Sequence, residues 1–161
     1  MLNFYITGLP GSGKSLVAKM LKEDFGYNII EIDRILEIET GKDFYTLLTT
    51  YGIKEVGKIE MKIVDRFAKS CDKIVIGCGA AVGYASNSFL IIYLKIPRER
   101  FYEKVRKHMK PEVAEKHYNE FHRYYSDHSQ LVISSEHKMK FEISRIIADF
   151  IKKNFDHPQN T

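Results

Sequence analysis

The sequence predicts a three-layer α/β fold in which a five-stranded parallel sheet is covered by helices on both faces. Strand-type and helix-type segments alternate along the chain, which is the pattern that parallel sheets produce. A glycine-rich motif at residues 8–15 joins the first strand to the first helix. The 161 residues suffice for one domain with a sizeable core. We expect that domain at residues 1–155, followed by a frayed polar tail at 156–161.

Five short apolar runs are the predicted strands. The third and fourth runs are almost uninterrupted by polar residues, as buried parallel strands are. We expect the strands at about 2–7, 27–32, 73–76, 89–96 and 131–133.

The segments between these runs carry apolar residues three or four positions apart, which indicates helices with one buried face. Gly26 ends the first helix, and Pro97 opens the helix after the fourth strand. We expect helices at about 14–25, 34–39, 43–50, 53–69, from 97 onward, 111–126 and 138–154.

Composition favours a protein of the cytoplasm, and we expect it to be a monomer. The net charge of +4 comes without a concentrated basic stripe, so nucleic acid is not an expected partner. The longest apolar stretch, 89–94, is far shorter than the ~20 residues needed to cross a bilayer, and the start lacks a signal-peptide pattern, so no membrane partner is expected. Cys71 and Cys78 are too few for a disulfide scaffold.

Residues 8–15 read Gly-Leu-Pro-Gly-Ser-Gly-Lys-Ser, a full match to the phosphate-binding P-loop, or Walker A motif. The glycines let the backbone curl around an anion with its N–H groups pointing inward. Lys14 supplies a charge to the β- and γ-phosphates, and Ser15 supplies a hydroxyl ligand for Mg²⁺. The sequence therefore predicts binding of ATP and Mg²⁺. The expected nucleotide contacts are Gly8, Pro10, Gly11, Ser12, Gly13, Lys14, Ser15 and Leu16.

Ligands of doubly wound sheets bind beyond the carboxyl ends of the strands. Glu31 and Asp33 follow the second strand, and strand alternation would point both side chains the same way. One carboxylate would hold a Mg²⁺-bound water, and the other would orient or deprotonate a substrate hydroxyl. The residues alone leave the assignment open, and Asp33 also suits the N-cap of a helix.

The third strand ends in a turn of small residues, Gly77-Cys78-Gly79. Small residues permit close approach of a ligand, although a plain turn with a positive φ would need them as well. No nearby histidine or lysine in sequence would activate Cys78, so we interpret it as a small spacer and not a nucleophile.

The region after the fourth strand is rich in basic residues. In P-loop kinases such residues lie on a mobile flap that closes over the transferred phosphoryl group. Lys110 stands at a hinge-like junction before Pro111, and Arg123 on the following helix can point back to the site. The spacing of His117, His122 and His128 does not bring them to one helical face, so we interpret them as packing residues and not as metal ligands.

Together these motifs resemble the shikimate kinases, small P-loop kinases with a five-stranded parallel sheet and a lid. The resemblance covers nearly the whole chain. Besides the P-loop, the stretch 31–41 is similar to the family's Asp-x-Asp followed by Ile-Glu-x-x-x-Gly, 75–82 is similar to its Gly-Gly-Gly segment, and 93–97 resembles its strand-four signature. The resemblance implies a P-loop kinase fold with a short lid at about 107–118.

The resemblance also assigns roles. Glu31 would lie near the metal, bound through water, and Asp33 would bind substrate hydroxyls. Arg106 would stack on adenine, and Lys110 would replace the lid arginine. The substrate would be bound by Asp33, Gly79, Ala80 and Arg123.

The departures from the family fall on the substrate side. Its three glycines are here Gly79, Ala80 and Ala81, and its substrate-carboxylate arginine in the long helix is replaced by Gly57 or Lys58. A lysine lacks the bidentate fork that an arginine offers to a carboxylate. Arg123 is two positions displaced from the family's second such arginine. The chain therefore keeps the family's nucleotide-binding residues, and the sequence leaves the identity of the phosphoryl acceptor open.

The sequence thus predicts an ATP- and Mg²⁺-dependent kinase that moves the γ-phosphoryl group to a hydroxyl of a small, anionic metabolite. Lys14, Asp33 and Lys110 would be its catalytic residues. One alternative is a nucleoside monophosphate kinase, for which the arginines are few. Another is a nucleotide-binding regulator that has lost its acceptor site.

Overall fold

A computed structural model of the chain describes residues 3–68 and 74–156, and its five strands form one parallel sheet. The strands are β1 (Asn3–Gly8), β2 (Ile29–Glu31), β3 (Ile74–Gly77), β4 (Phe89–Lys95) and β5 (Leu131–Ser134). Their order across the sheet is β2-β3-β1-β4-β5. The predicted five-stranded parallel sheet is therefore confirmed.

Seven helices lie in the described parts of the chain. They are α1 (Lys14–Glu23), α2 (Ile32–Thr40), α3 (Phe44–Ala68), α4 (Val82–Ala85), α5 (Arg98–Val105), α6 (Pro111–His128) and α7 (Lys140–Asp156). The sequence did not predict α4, because a single turn containing a glycine is too short to show helical periodicity. The expected break between two helices near residue 52 is present, since Gly52 has φ 77° and ψ 163° inside α3.

The second strand is shorter than predicted. It begins at Ile29 and ends at Glu31, and Ile32 already belongs to α2. As an edge strand, β2 is half-exposed, so it lacks the continuous burial that specifies the central strands. Cys71, Lys73 at the expected start of β3 and the expected tail after Asp156 lie outside the described residues.

Two apolar cores cover the two faces of the sheet. The side chains of β1 alternate between them, with Phe4 and Ile6 in one core and Tyr5 in the other. Helices α1 and α7 cover the first face, and α2, α3, α5 and α6 contribute to the second. All six residues of β1 are buried, as expected for the central strand of a parallel sheet.

The strand order reverses at β1, which lies between β3 and β4. Such a switch point opens a crevice at the carboxyl ends of the strands. The segments that follow β1, β2 and β3 therefore meet at one edge of the sheet. No helix in the described parts of the chain is long and apolar enough to span a membrane.

Candidate active site

The glycine-rich segment forms a tight loop between β1 and α1. Its backbone turns back on itself where the Ser12 N–H donates to the Leu9 carbonyl oxygen at 3.0 Å. Gly13 caps α1 with φ 80° and ψ 23°, and the Lys14 ammonium donates to the Gly8 carbonyl oxygen. The side chain of Leu16 is 45% exposed in the first turn of α1. This is the strand, loop and helix arrangement that a P-loop requires.

Two basic residues that the sequence did not assign to the site contact this loop. The Lys140 ammonium donates to the Ser12 carbonyl oxygen at 3.2 Å, and the Arg100 side chain lies against Gly11. Burial lowers the pKa of Lys140, and the positive charge of Arg100 lowers it further. Lys140 follows β5, so applying the strand-end rule to the fifth strand would have pointed to its segment.

A polar cavity of about 220 Å³ opens beside the loop. It is lined by Lys14, Ser15, Glu31, Asp33, Arg34, Glu37 and Ile76. The structure therefore brings together four of the predicted catalytic and metal-binding side chains, which come from the segments after β1 and β2. The Ser15 hydroxyl and the Glu31 carboxylate offer the hard oxygen donors that Mg²⁺ prefers, so the donor set fits that ion.

Glu31 and Asp33 share this cavity for a different reason than strand alternation. The strand ends at Glu31, which takes the N-cap position of α2 without a side-chain capping bond. Asp33 lies in the first helical turn, and its Oδ1 accepts a hydrogen bond from the Cys78 N–H at 2.6 Å. The N-cap alternative for Asp33 is therefore wrong. Its carboxylate connects α2 to the turn after β3.

A second carboxylate, that of Glu60, also accepts hydrogen bonds from the turn after β3. It is fully buried and accepts hydrogen bonds from the Tyr5 hydroxyl and from the Ala81 N–H at 3.0 Å. The Cys78 thiol also donates to it, at 3.5 Å. Burial raises the pKa of Glu60 to about 7, and the nearby charge of Asp33 adds to the effect. Glu60 thus links β1, α3 and the turn at 78–81, and sequence reasoning missed it.

We expect Glu60 to make folding stability depend on pH. Because its pKa of about 7 in the folded chain exceeds the ordinary 4.5, the associated stabilisation is complete below pH 4.5 and is lost as pH rises through 7. The loss between pH 4.5 and 8 should be roughly 3 kcal/mol. Urea unfolding across this range should show that Glu60→Gln has a smaller loss than the wild type. The exposed Glu103→Gln serves as control, and equal pH profiles for all three proteins would contradict the prediction.

Burial also raises the pKa of the Cys78 thiol, so it stays protonated and donates to Glu60. This agrees with the interpretation of Cys78 as a spacer, since a nucleophilic cysteine needs a lowered pKa. Among the described residues, Asp33, Glu60 and Cys78 are the one set of three potential metal ligands close enough to share an ion. Their ligand atoms already hold the turn, and the three histidines of α6 form no such set.

The turn at 78–81 is tightly enclosed. Gly79 has φ 82°, and a β-carbon there would collide with the Thr7 hydroxyl. A β-carbon at Gly57 would lie 2.6 Å from the Ala80 carbonyl oxygen, so α3 packs directly on the turn. Both positions therefore need glycine, one for its dihedral angle and the other for close approach.

An apolar cavity of about 650 Å³ is lined in part by this turn, through Ala80. It is lined by Leu48, Gly52, Ile53, Lys54, Ala80, Gly83, Tyr84, His117, Glu120, Phe121 and Tyr124. The Tyr124 hydroxyl is engaged with the turn region, since it donates to the Ala80 carbonyl oxygen and accepts from the Gly83 N–H. Of the predicted substrate residues, Ala80 lines this cavity and Asp33 lines the polar one.

Arg123 lines neither of these cavities. Its side chain is 86% exposed and lies 3.9 Å from Asp127 one helical turn away. The helix places Phe121 and Tyr125 in the core, which leaves position 123 on the solvent side of α6. The structure therefore does not bring Arg123 to Asp33 and Gly79, contrary to expectation. Arg106 at the end of α5 and Lys110 at the start of α6 are both exposed.

Comparison with known proteins shows which family the chain belongs to. Residues 10–152 match the family model of shikimate kinase. Shikimate kinase from Persephonella marina is 31% identical over 111 residues, which cover 65% of this chain and 67% of the relative. Shikimate kinase from Clostridium botulinum strain Langeland is 26% identical over 111 residues, covering 65% of each chain. The chain thus spans about two thirds of the length of these curated relatives.

Solved structures show the same fold at lower identity. Shikimate kinase from Acinetobacter baumannii in complex with shikimate has a TM-score of 0.73 at 18% identity, covering 96% of this chain and 94% of that one. Shikimate kinase from Aquifex aeolicus has a TM-score of 0.73 at 19% identity, covering 96% and 98%. At these identities the likeness concerns the fold alone.

The sheet order, the P-loop and the carboxylates beside it define a P-loop kinase. The family match extends over most of the chain. The chain belongs to the shikimate kinase family. This membership favours phosphotransfer to a hydroxyl over the two alternatives, a nucleoside monophosphate kinase and a non-catalytic regulator.

Proposed function

We propose that this chain transfers the γ-phosphoryl group of ATP to a hydroxyl of a small ring compound. The observation that carries the proposal is the grouping of Lys14, Ser15, Glu31 and Asp33 in one polar cavity beside the P-loop. These side chains supply a cation for phosphate, oxygen ligands for a metal and a carboxylate for the acceptor. In-line phosphoryl transfer needs these three parts.

Each residue has a distinct role in this proposal. The P-loop amides and Lys14 bind the β- and γ-phosphates and stabilise the charge of the transferred group. Ser15 would hold Mg²⁺ directly and Glu31 through water, and the bound ion would neutralise phosphate charge. Asp33, fixed by the Cys78 N–H, orients the acceptor hydroxyl and accepts its proton.

The remaining parts of the nucleotide site are proposed from the sequence. Arg106 would stack on adenine. Lys110 would act from a lid at about 107–118, where the turn after α5 meets Pro111 at the start of α6. A monomer in the cytoplasm, with residues 1–155 as one kinase domain, is part of the same proposal, and size-exclusion chromatography tests the oligomeric state.

ADP release from Mg-ATP tests the proposal. We expect a hydroxylated ring compound such as shikimate or its neutral derivatives to stimulate release, with gluconate, nucleosides and nucleoside monophosphates as comparisons. Stronger stimulation by AMP or CMP would instead favour a monophosphate kinase. Tight ATP binding without stimulation by any acceptor would favour a regulator.

A further inference from the structure

The charges around the apolar cavity bear on the chemistry of the acceptor. Lys54 and Glu120 are its two lining residues with permanently charged side chains, and they have opposite signs. Both are exposed, and the Glu120 side chain is 62% accessible and 3.9 Å from Lys116. Burial lowers the pKa of His117 below its ordinary 6.5, so this ring is neutral at pH 7. The lining therefore carries no net charge.

Helix α3 offers no cation at the positions where the family resemblance places a substrate arginine. Gly57 packs directly on Ala80, so a side chain at 57 would displace the turn that lines the cavity. Lys58 faces away, because its ammonium pairs with Glu55 at 2.9 Å on the exposed side of α3. At this point the helix therefore has no cation to bind a substrate carboxylate, and the backbone of Gly57 packs against that of Ala80 instead.

The rest of the wall suits a ring with an apolar face. Tyr84, Phe121 and Tyr124 provide aromatic surface, and Leu48 and Ile53 provide aliphatic surface. Such walls favour rings through burial and edge or face contacts. A carboxylate moved against them without a paired cation would lose its hydration at a cost of several kcal/mol.

The turn at 78–81 connects this cavity to the chemistry. Ala80 lines the apolar cavity, and Cys78, two residues earlier, holds Asp33 through its N–H. A ring bound against Ala80 would therefore contact the same turn whose Cys78 N–H fixes Asp33. We propose that the phosphoryl acceptor is an uncharged hydroxylated ring compound, in place of the carboxylate-bearing acceptor that the family resemblance implies. This inference rests on the proposed phosphotransfer.

A matched pair of acceptors tests the inference on the full chain. Shikimate and its methyl ester carry the same ring hydroxyls and differ in the negative charge. With Mg-ATP, kcat/KM from ADP release should be at least about tenfold higher for the ester, because the acid must bury an unpaired charge. A nucleoside and its 5′-monophosphate form a second pair, for which the neutral member should again be preferred.

Two substitutions sharpen the test. Ile53→Arg, at a lining position that is 37% exposed, should raise kcat/KM for shikimate by about tenfold and narrow the preference for the ester. Lys54→Ala should reduce the rates with acid and ester equally. A selective loss with the acid would show that Lys54 binds its carboxylate and would overturn the inference. Lys58→Ala, on the outer side of the same helix, is the matched control.

The possible failures are distinguishable. Preference of the wild type for the acid or the monophosphate overturns the neutral acceptor and leaves phosphotransfer intact. If neither member of either pair stimulates ADP release, the inference is also overturned. A melting shift with Mg-ATP would then show that the nucleotide half survives, whereas its absence would remove the proposed function as well.

Discussion

Lys14→Ala should reduce kcat by at least about 100-fold and leave the fold intact. The Lys14 side chain lies in the polar cavity, and its ammonium is held at the P-loop by the Gly8 carbonyl oxygen. A fixed cation at a transferred phosphoryl group stabilises charge that develops in the transition state, and the loss of one such group costs about 10²–10³ in rate. We would measure ADP release at saturating Mg-ATP with a productive acceptor, together with the melting temperature.

Lys22→Ala is the matched control, because Lys22 is exposed in the last turn of the same helix. It should retain wild-type turnover within about twofold. Near-normal activity of Lys14→Ala in a working assay would contradict the P-loop mechanism. Loss of turnover accompanied by a collapsed melting temperature would instead assign Lys14 a structural role.

The P-loop and the sheet could be predicted because their signals are local. Eight consecutive residues define the phosphate loop, and continuous apolar runs mark the central strands. The strand-end rule then placed Glu31 and Asp33 at one site without any contact being known. Both residues do line one cavity, as predicted. They do so because α2 starts at Ile32, however, and not because the side chains of a strand alternate.

The support of the site could not be predicted, because it joins residues that are distant in sequence. Tyr5 and Glu60 are 55 positions apart, and their hydrogen bond exists only once α3 packs on the sheet. The close approach of Gly57 to Ala80 likewise depends on how α3 meets the turn. In the sequence, a glycine within a helical pattern only indicates a less stable helix. That a side chain at this position would collide with the turn is visible only in the tertiary structure.

Asp33→Asn should reduce kcat by about 10²–10⁴-fold, the usual contribution of a positioned general base. Asparagine keeps a carbonyl oxygen that can accept the Cys78 N–H, so the turn after β3 should stay in place. The substitution removes the negatively charged carboxylate that takes the proton from the substrate hydroxyl. The affinity for Mg-ATP, measured by calorimetry, should therefore change by no more than about twofold.

Two comparisons separate this role from others. Asp65→Asn, which removes an exposed carboxylate on α3, should leave both kcat and affinity near their wild-type values. Equal losses of kcat and Mg-ATP affinity in Asp33→Asn would instead place Asp33 on the metal side of the cavity. That result would transfer the acceptor role to another side chain and contradict the proposed mechanism.

The same substitution has a second readout that does not depend on an acceptor. The charge of Asp33 is one cause of the raised pKa of Glu60, so its removal should lower that pKa toward the ordinary 4.5. The stability lost between pH 4.5 and 8 should therefore be smaller in Asp33→Asn than in the wild type. An unchanged pH profile would mean that the charge of Asp33 does not act on Glu60. The turn at 78–81 donates hydrogen bonds to both Asp33 and Glu60. A smaller pH-dependent loss in Asp33→Asn would therefore show that buried Glu60 senses the charge of the residue proposed to act on the acceptor.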